Sequence, residues 1–501
     1  MFTGPIDTLL IFSLLAPIIY WIGVKVNFRK LIDYWATLGF IIASYFMYIL
    51  YEAIKSGKIM IVTVANGLLP ISSIFEIDAL GIFMGGLFVF IGLLTSIYSM
   101  RYMERDSGLT EYYILLMLMV AGMVGVVFAG DFFTFFIFWE IMCITSYVLV
   151  AFRKAQWEPV EAGFKYLIMS ASGSVMVLFA MSMLYGMTGT LNFAYLGSII
   201  STMPINYWSI LALAFMIIGF GIKASVVPMH SWLPDAHPAA PSSISAMLSG
   251  VVIKAGAYAL IRTLMIIFIP GAYNWQFILA ILAVLTMTVG NIMALLQTDL
   301  KRLLAFSSIA QMGYVIFGLS LATYYGLTGS IFHVMNHAIM KSLLFLCAGA
   351  FLYAVESRDL NQLAGIGRKM KATRIMFIVG SLALAGIPPL NGFQSEWMIL
   401  LAGIEKGALQ SVWYLLSAIM LLNILFSVAY YLRLIQILML KKPTRISNRA
   451  KEAPLTMLIP MGVLAVLCIV IGVYPGPFVN FSSSAAEAVV DASQYISAIV
   501  K

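Results

Sequence analysis

Apolar runs of about twenty residues follow one another along most of this chain, separated by short polar segments. Neither the strict alternation of a half-buried strand nor the narrow stripe of a soluble amphipathic helix sets the pattern. A helix rising 1.5 Å per residue needs about twenty apolar residues to cross a bilayer. The runs lie at 6–24, 31–51, 76–99, 113–129, 132–152, 162–187, 208–228, 241–267, 274–296, 302–322, 327–354, 373–403, 411–438 and 454–474. They predict an all-α polytopic membrane protein with about 14 transmembrane helices. The division between the fourth and fifth runs rests on Gly130 and Asp131.

Two runs are interrupted. One breaks at Pro228 and continues through a polar, proline-rich passage holding His230, Asp235 and His237. The other breaks at Pro388 and Pro389. Proline lacks the N–H a helix interior needs, and freed backbone groups at membrane depth must meet protein or water. Each break lies near one ionisable residue, Lys223 in the first and Glu396 in the second. Paired interrupted spans mark transporter repeats. Their separation by an odd number of spans predicts that the two halves are inverted in the membrane.

Composition fits this picture: 62% of the 501 residues are hydrophobic and only 10% are charged, against about 25% in soluble domains. The basic residues test the topology. Of 29, 21 fall in loops after odd-numbered spans, 4 after even-numbered spans or in the tail, and 4 within spans. That asymmetry is the positive-inside pattern, so both termini are expected outside. The residues before the first run carry no basic cluster, so 6–24 reads as a retained span rather than a signal peptide. The net charge of +8 is mostly this topological signal and does not call for nucleic acid. Cys143, Cys347 and Cys468 lie far apart in apolar runs, which argues against an iron–sulfur or zinc site in this chain. The tail after 475 reads as short, polar and peripheral.

Ionisable groups within apolar spans are costly and mark ion pathways. Glu140 is the sole charge between Phe132 and Val150. Lys254 is mid-span, while Lys223 is near enough to a span end that snorkelling is an alternative. His333, His337 and Lys341 are spaced by four and four, on one helix face. The row reads as a proton relay; haem ligation is a poorer alternative, since the other histidines sit in the proline-rich break. A Glu140–Lys223 pair in a cavity would tune the lysine's proton affinity. Glu396 reads as a titratable site or as a charge placed on a helix N-terminus. His230, Asp235 and His237 read either as an inner access path or as caps for the broken backbone. Lys301 and Arg302 read as anchors of a helix end.

Six segments carry a family resemblance. They are FFIFWEIM at Glu140, GIKASVVPMHSWLPDAHPAAP at Lys223, SGVVIKAGAYALIR at Lys254, LKRLLAFSSIAQMGY, HVMNHAIMKSLLFL, and LAGIPPLNGF with Glu396. Together they resemble the antiporter-like, proton-conducting membrane subunits of respiratory complex I and its relatives, over roughly residues 65–440. The resemblance implies two inverted five-helix repeats, each with a broken helix, at 113–267 and 274–438. Three transmembrane helices over 1–112 would precede them, and a last helix with an outside tail over 439–501 would follow. It implies a hydrophilic axis through Glu140, Lys223, Lys254, His333, His337, Lys341 and Glu396.

Glutamate at 396 looks like the chain-four type of complex I, whereas several relatives have lysine there. The LAGIPPLNGF wording looks more like the exchanger and hydrogenase branches. The resemblance points first to a membrane-bound hydrogenase or sulfur-reducing complex. A sodium/proton exchanger subunit, or complex I chain four itself, is the alternative. It implies that this chain holds no cofactor, and that iron–sulfur clusters and, in the hydrogenase branch, nickel–iron belong to partner subunits. Those partners would be antiporter-like and quinone-site-like membrane subunits and a peripheral redox arm, in the plasma membrane. A solitary solute transporter finds no substrate-specific polar pocket beyond the axis.

Overall fold

The computed structural model describes residues 4–28, 30–55, 59–63 and 74–500. Arg29, Lys58 and Lys501 of the charge count lie outside the described residues. The chain folds into helices in the following order. α1 (Pro5–Lys25) and α2 (Leu31–Ile54) come first, then a hairpin of β1 (Met60–Thr63) and β2 (Ile74–Ile77). Next are α3 (Ala79–Tyr102), α4 (Leu109–Phe128), α5 (Phe132–Val150), α6 (Trp157–Thr188) and the short α7 (Phe193–Thr202). The first broken span is α8 (Tyr207–Lys223) with α9 (Leu233–Ala239), followed by α10 (Ser242–Ile267). α11 (Trp275–Leu296), α12 (Leu300–Ser320) and α13 (Tyr324–Val355) come next. The second broken span is α14 (Lys371–Leu384) with α15 (Asn391–Gly407). α16 (Val412–Leu440), α17 (Leu455–Val473), α18 (Gly476–Val490) and α19 (Ala492–Ile499) complete the chain.

Twelve of the helices among the described residues are long and apolar enough to cross a membrane. The expected spans at 208–228 and 373–403 coincide with the two broken pairs, whose separate pieces are shorter. The all-helical expectation misses the antiparallel β1–β2 hairpin, which has Met60 opposite Ile77. The tail is less peripheral than its polarity suggests: it forms α18 and α19 and buries Tyr495.

The polar residues between apolar runs start helices. Asp78 accepts from Gly81 N, Asp131 from Thr134 N, Asn192 from Ala194 N and Tyr195 N, and Asp299 from Arg302 N. Each supplies one acceptor for a first-turn N–H that has no helical partner. Asp131 thus separates α4 from α5 at the expected place. α10 is buried throughout and α12 over nearly all its length, and they form the centre, whereas α1, α2 and α16 expose most of their length. The exposed side chains on these outer helices include Leu14, Ile18, Tyr45, Leu422 and Leu425, as a lipid-facing surface requires.

The two breaks follow one course. In the first, Ala224, Ser225 and Val226 donate to the carbonyls of Phe220, Ile222 and Gly221. In the second, Ala385, Gly386 and Ile387 donate to Ser381, Ala383 and Leu382 in the same order. Ser225 and Gly386, at equivalent places, both have positive φ, 57° and 67°. The freed carbonyls are therefore met inside the chain, as membrane depth demands.

Candidate functional site

The first break presents Lys223. It is the last residue of α8 and only 2% exposed, so it does not snorkel to an interface. Its Nζ donates to Tyr166 Oη at 2.7 Å and to Ser146 Oγ at 3.4 Å. The Tyr166 ring stacks on Trp232 with centroids 4.0 Å apart, and Trp232 Nε1 donates to Ile222 O at 2.8 Å. The chain beyond the break thus folds back and clamps the lysine's partner. The expected contact with Glu140 is not formed: Lys223 is held by hydroxyls instead. Glu140 is half-buried on the α5 flank that also exposes Ile137 and Ile144, and its Oε1 has no hydrogen-bond partner in the chain. Glu140 and Lys223 form no ion pair within the chain, and the lysine bonds the hydroxyls of Ser146 and Tyr166 instead.

The centre holds two lysines. α10 contains a π-helical turn at Leu248–Val252, which interrupts the regular ladder just before Lys254. Lys254 Nζ donates to Ser249 O, within that turn. Ser249 Oγ lies 2.6 Å from Ser308 Oγ on α12. The adjacent Ser307 accepts from Lys341 Nζ and lies 3.0 Å from Tyr431 Oη, which Lys341 Nζ also reaches at 3.0 Å. Of two neighbouring serines of α12, Ser307 meets Lys341 directly and Ser308 meets Ser249, the residue whose carbonyl holds Lys254.

From Lys341 the α13 face continues through His337 to His333, whose rings are parallel with centroids 6.1 Å apart. His333 Nδ1 is 2.9 Å from Ser395 Oγ, and Nε2 is 2.8 Å from Gln311 Oε1. Gln311 Nε2 then donates to Glu396 Oε1 at 3.3 Å. Glu396 sits beyond the first turn of α15 and is buried, so its defined partner is Gln311 rather than the helix end. Both ring nitrogens of His337 lack a protein partner. Buried polar atoms of this kind are normally satisfied by water.

The three residues expected at the inner access path separate. Asp235 is partly exposed and pairs with Lys165 at 3.2 Å and Arg302 at 3.1 Å. His230 is partly buried, with Nδ1 unpaired. His237 is fully buried, stacks on Phe345 at 4.5 Å, and has no protein partner for either nitrogen. Lys301 is buried as well, and donates to Ala240 O at 2.6 Å beyond the end of α9. A cleft of about 1430 Å³ reaches Lys301 and Pro238–Ala240 from the face carrying Arg105, Arg153, Lys154 and Arg358.

Among the described residues no group of three His, Cys, Asp or Glu side chains could hold a metal ion, and all three cysteines are free and buried. Sequence reasoning did not single out Ser146, Tyr166, Ser249, Ser307, Ser308, Gln311, Ser395 or Tyr431. The serines and Gln311 of α12 had a signal, since polar residues recur there within a span. Tyr166 had none, because a tyrosine in an apolar helix is ordinary.

A helical membrane protein with two matching helix breaks, joined by a buried row of lysines and histidines, has the architecture of an ion transporter. The chain belongs to the family described as NADH:quinone oxidoreductase/Mrp antiporter, transmembrane, which matches residues 129–427. Residues 64–113 match the N-terminal region described for complex I chain 5. The chain is 33% identical over 412 residues to NADH-quinone oxidoreductase subunit N of Desulforudis audaxviator, covering 78% of this chain and 80% of the relative. It is 30% identical over 473 residues to F420H2 dehydrogenase subunit N of Methanosarcina mazei, covering 92% and 93%. Its structure superposes with a TM-score of 0.91 on a chain of a membrane-bound sulfane sulfur reductase, an archaeal respiratory membrane complex, at 29% identity and 99% coverage of both chains.

Proposed function

We propose that this chain is the proton-translocating, antiporter-like subunit of a redox-driven membrane complex related to complex I, of the hydrogenase or sulfur-reducing kind. The observation that carries this is the buried polar row from Lys223 to Glu396. Lys341 bonds Ser307, Lys254 bonds the carbonyl of Ser249 whose hydroxyl meets Ser308, and His333 reaches Glu396 through Gln311. A lysine in such a row can load and release a proton as the charge beside it changes. Protons enter from the basic face past Asp235, His230 and His237. They pass Lys223, Lys254, Lys341, His337 and His333, and leave near Glu396. The two halves are 113–267 and 274–438, flanked by the helices of 1–112 and the last helix and tail of 439–501. The chain sits in the plasma membrane with both termini outside.

Glu140 Oε1 finds no partner within the chain, so its counter-charge comes from a neighbouring membrane subunit. Electron transfer takes place in a partner arm that carries iron–sulfur clusters, with nickel–iron in a hydrogenase. The test is the assembled complex with Glu140→Gln or Glu396→Gln. Each variant retains electron transfer and loses proton pumping; pumping at the full rate in both would show that the axis is misassigned. The similarity to the Mrp antiporter part of the family supports a second reading, sodium/proton exchange without redox chemistry. The proteins that co-purify with the chain decide between them: a redox arm for the first, an exchanger assembly for the second.

A further inference from the structure

Opposite the basic face, a second buried cluster lies outside the axis. It gathers Glu76 of β2, Asp78 ahead of α3, Asn192 ahead of α7, Arg262 near the end of α10 and Tyr495 of α19. All five are at least 95% buried. Arg262 Nη1 pairs with Asp78 Oδ2 at 2.7 Å, and Arg262 Nε donates to Tyr258 Oη at 3.1 Å. Tyr495 Oη donates to Glu76 Oε2, and Asn192 Nδ2 donates to Glu76 Oε1 at 2.8 Å. The Asn192 amide is oriented by its own Oδ1, which accepts two α7 N–H groups. A Cβ at Gly130 would lie 2.4 Å from Glu76 Cδ, so the carboxyl packs directly against this glycine.

Two features set this cluster apart from a structural staple. First, its charges do not balance. One guanidinium faces two carboxylates, and Asp78 already takes the guanidinium at 2.7 Å. The other titratable groups nearby do not restore the balance. Asp131, whose carboxylate accepts from Ile74 N at 3.1 Å, is acidic; Tyr258 and Tyr495 are neutral; Asp491 at the start of α19 is exposed. An unpaired buried carboxylate is costly, and holding one proton removes that cost. Second, one helix face runs from the axis to the cluster. Lys254, Tyr258 and Arg262 are spaced by four and four along α10, one face of one helix leading from the central lysine to the cluster. The Arg262 guanidinium lies over both the Tyr258 and Tyr495 rings, at 5.4 and 5.3 Å.

We infer that Glu76 is a proton-release group for the first half, fed along the Lys254–Tyr258–Arg262 face and capped by Tyr495 of the C-terminal helix. One proton moves from the Lys254 ammonium to the Glu76 carboxylate, leaving a neutral amine, and then from Glu76 to the outer medium. Arg262 carries no proton; its charge holds Asp78 and favours departure of the proton from Glu76. Burial pushes the Glu76 carboxyl up to about 7, against the lowering effects of Tyr495, Asn192 and Arg262, which suits release near neutral pH.

This inference rests on the proton-pumping reading. Its test is redox-driven pumping by the assembled complex, with the pH on the Glu76 side varied across the neutral range. Wild-type pumping is expected to slow as that pH falls below about 7. Glu76→Gln is expected to pump roughly tenfold more slowly and to lose that response. Tyr495→Phe keeps the carboxyl but removes a hydrogen bond that favours its ionised form, so its response moves to higher pH. If Glu76→Gln does not assemble, Tyr495→Phe alone decides. Wild-type behaviour in either assembled variant overturns the inference. Absence of pumping by the wild-type complex would instead refute the function proposed above.

Discussion

Replacing Lys223 with methionine probes the first break most cleanly, because it removes the charge and keeps an unbranched side chain of similar reach. The structure sets the expected cost. The ammonium loses its bond to Tyr166 at 2.7 Å and a longer one to Ser146, worth about 1.5–3 kcal/mol for a charged donor. Against this, the buried cation no longer has to be desolvated, a penalty of several kcal/mol. Tyr166 is not orphaned, since its hydroxyl stays 2.9 Å from Ser146 Oγ. The fold therefore holds within about 2 kcal/mol of wild type, and the complex assembles. Transport behaves differently, because the row then lacks its first proton carrier and the neighbouring hydroxyls cannot hold a charge near neutral pH. Pumping is expected to fall by roughly a hundredfold. The assay is redox-driven acidification of inverted membrane vesicles, scaled to the amount of assembled complex, with electron transfer measured in parallel. An assembled Lys223→Met complex that pumps at the wild-type rate would refute the reasoning. A complex that fails to assemble would contradict the energetic comparison.

Further outcomes follow from single contacts. Gln311→Leu cuts the link between His333 and Glu396. It leaves buried polar atoms unpaired at about 1–3 kcal/mol each, so pumping is lost and the melting temperature of the complex falls. At Gly256 an added Cβ would lie 2.5 Å from Ala224 N, against backbone that cannot step aside. Gly256→Ala therefore costs about 1–3 kcal/mol, seen as less assembled complex on native gels. Docking of α19 should depend on pH through Glu76, whose carboxyl is raised from 4.5 to about 7 by burial. A raised carboxyl favours the docked state fully below the undocked value and loses that advantage as pH rises through the docked one. A spin label on the exposed Ser497 reads it as greater mobility above pH 7 than below pH 5, and Glu76→Gln abolishes the difference.

Much of this architecture was legible from hydrophobic runs, because a bilayer leaves a helix as the only way to satisfy the backbone of an open chain. Pro228 and Pro388–Pro389 located both breaks, since proline removes a helical donor. Lys254, Lys341, His333 and Glu396 stood out because charge is rare in such spans. What was not legible is partnership. Lys223 was expected against Glu140, yet the lysine bonds the hydroxyls of Ser146 and Tyr166 instead. The serines and Gln311 of α12 recur as polar residues within a span, but only the approach of α10, α12 and α13 makes them connectors. The Glu76 cluster was invisible because its members come from four separate segments. Polarity alone made the tail look peripheral, whereas Tyr495 ties it to the hairpin.

In the function proposed above, electron flow through the assembled complex drives protons along the row from Lys223 to Glu396. The most direct measurement is pH inside proteoliposomes holding the purified complex, followed as electron donor and acceptor are added in sodium-free medium. A proton gradient is expected to appear with electron flow, to collapse with a protonophore and to be absent in Glu396→Gln at an unchanged electron-transfer rate. A gradient that ignores electron flow and appears only when a sodium gradient is imposed would contradict that function.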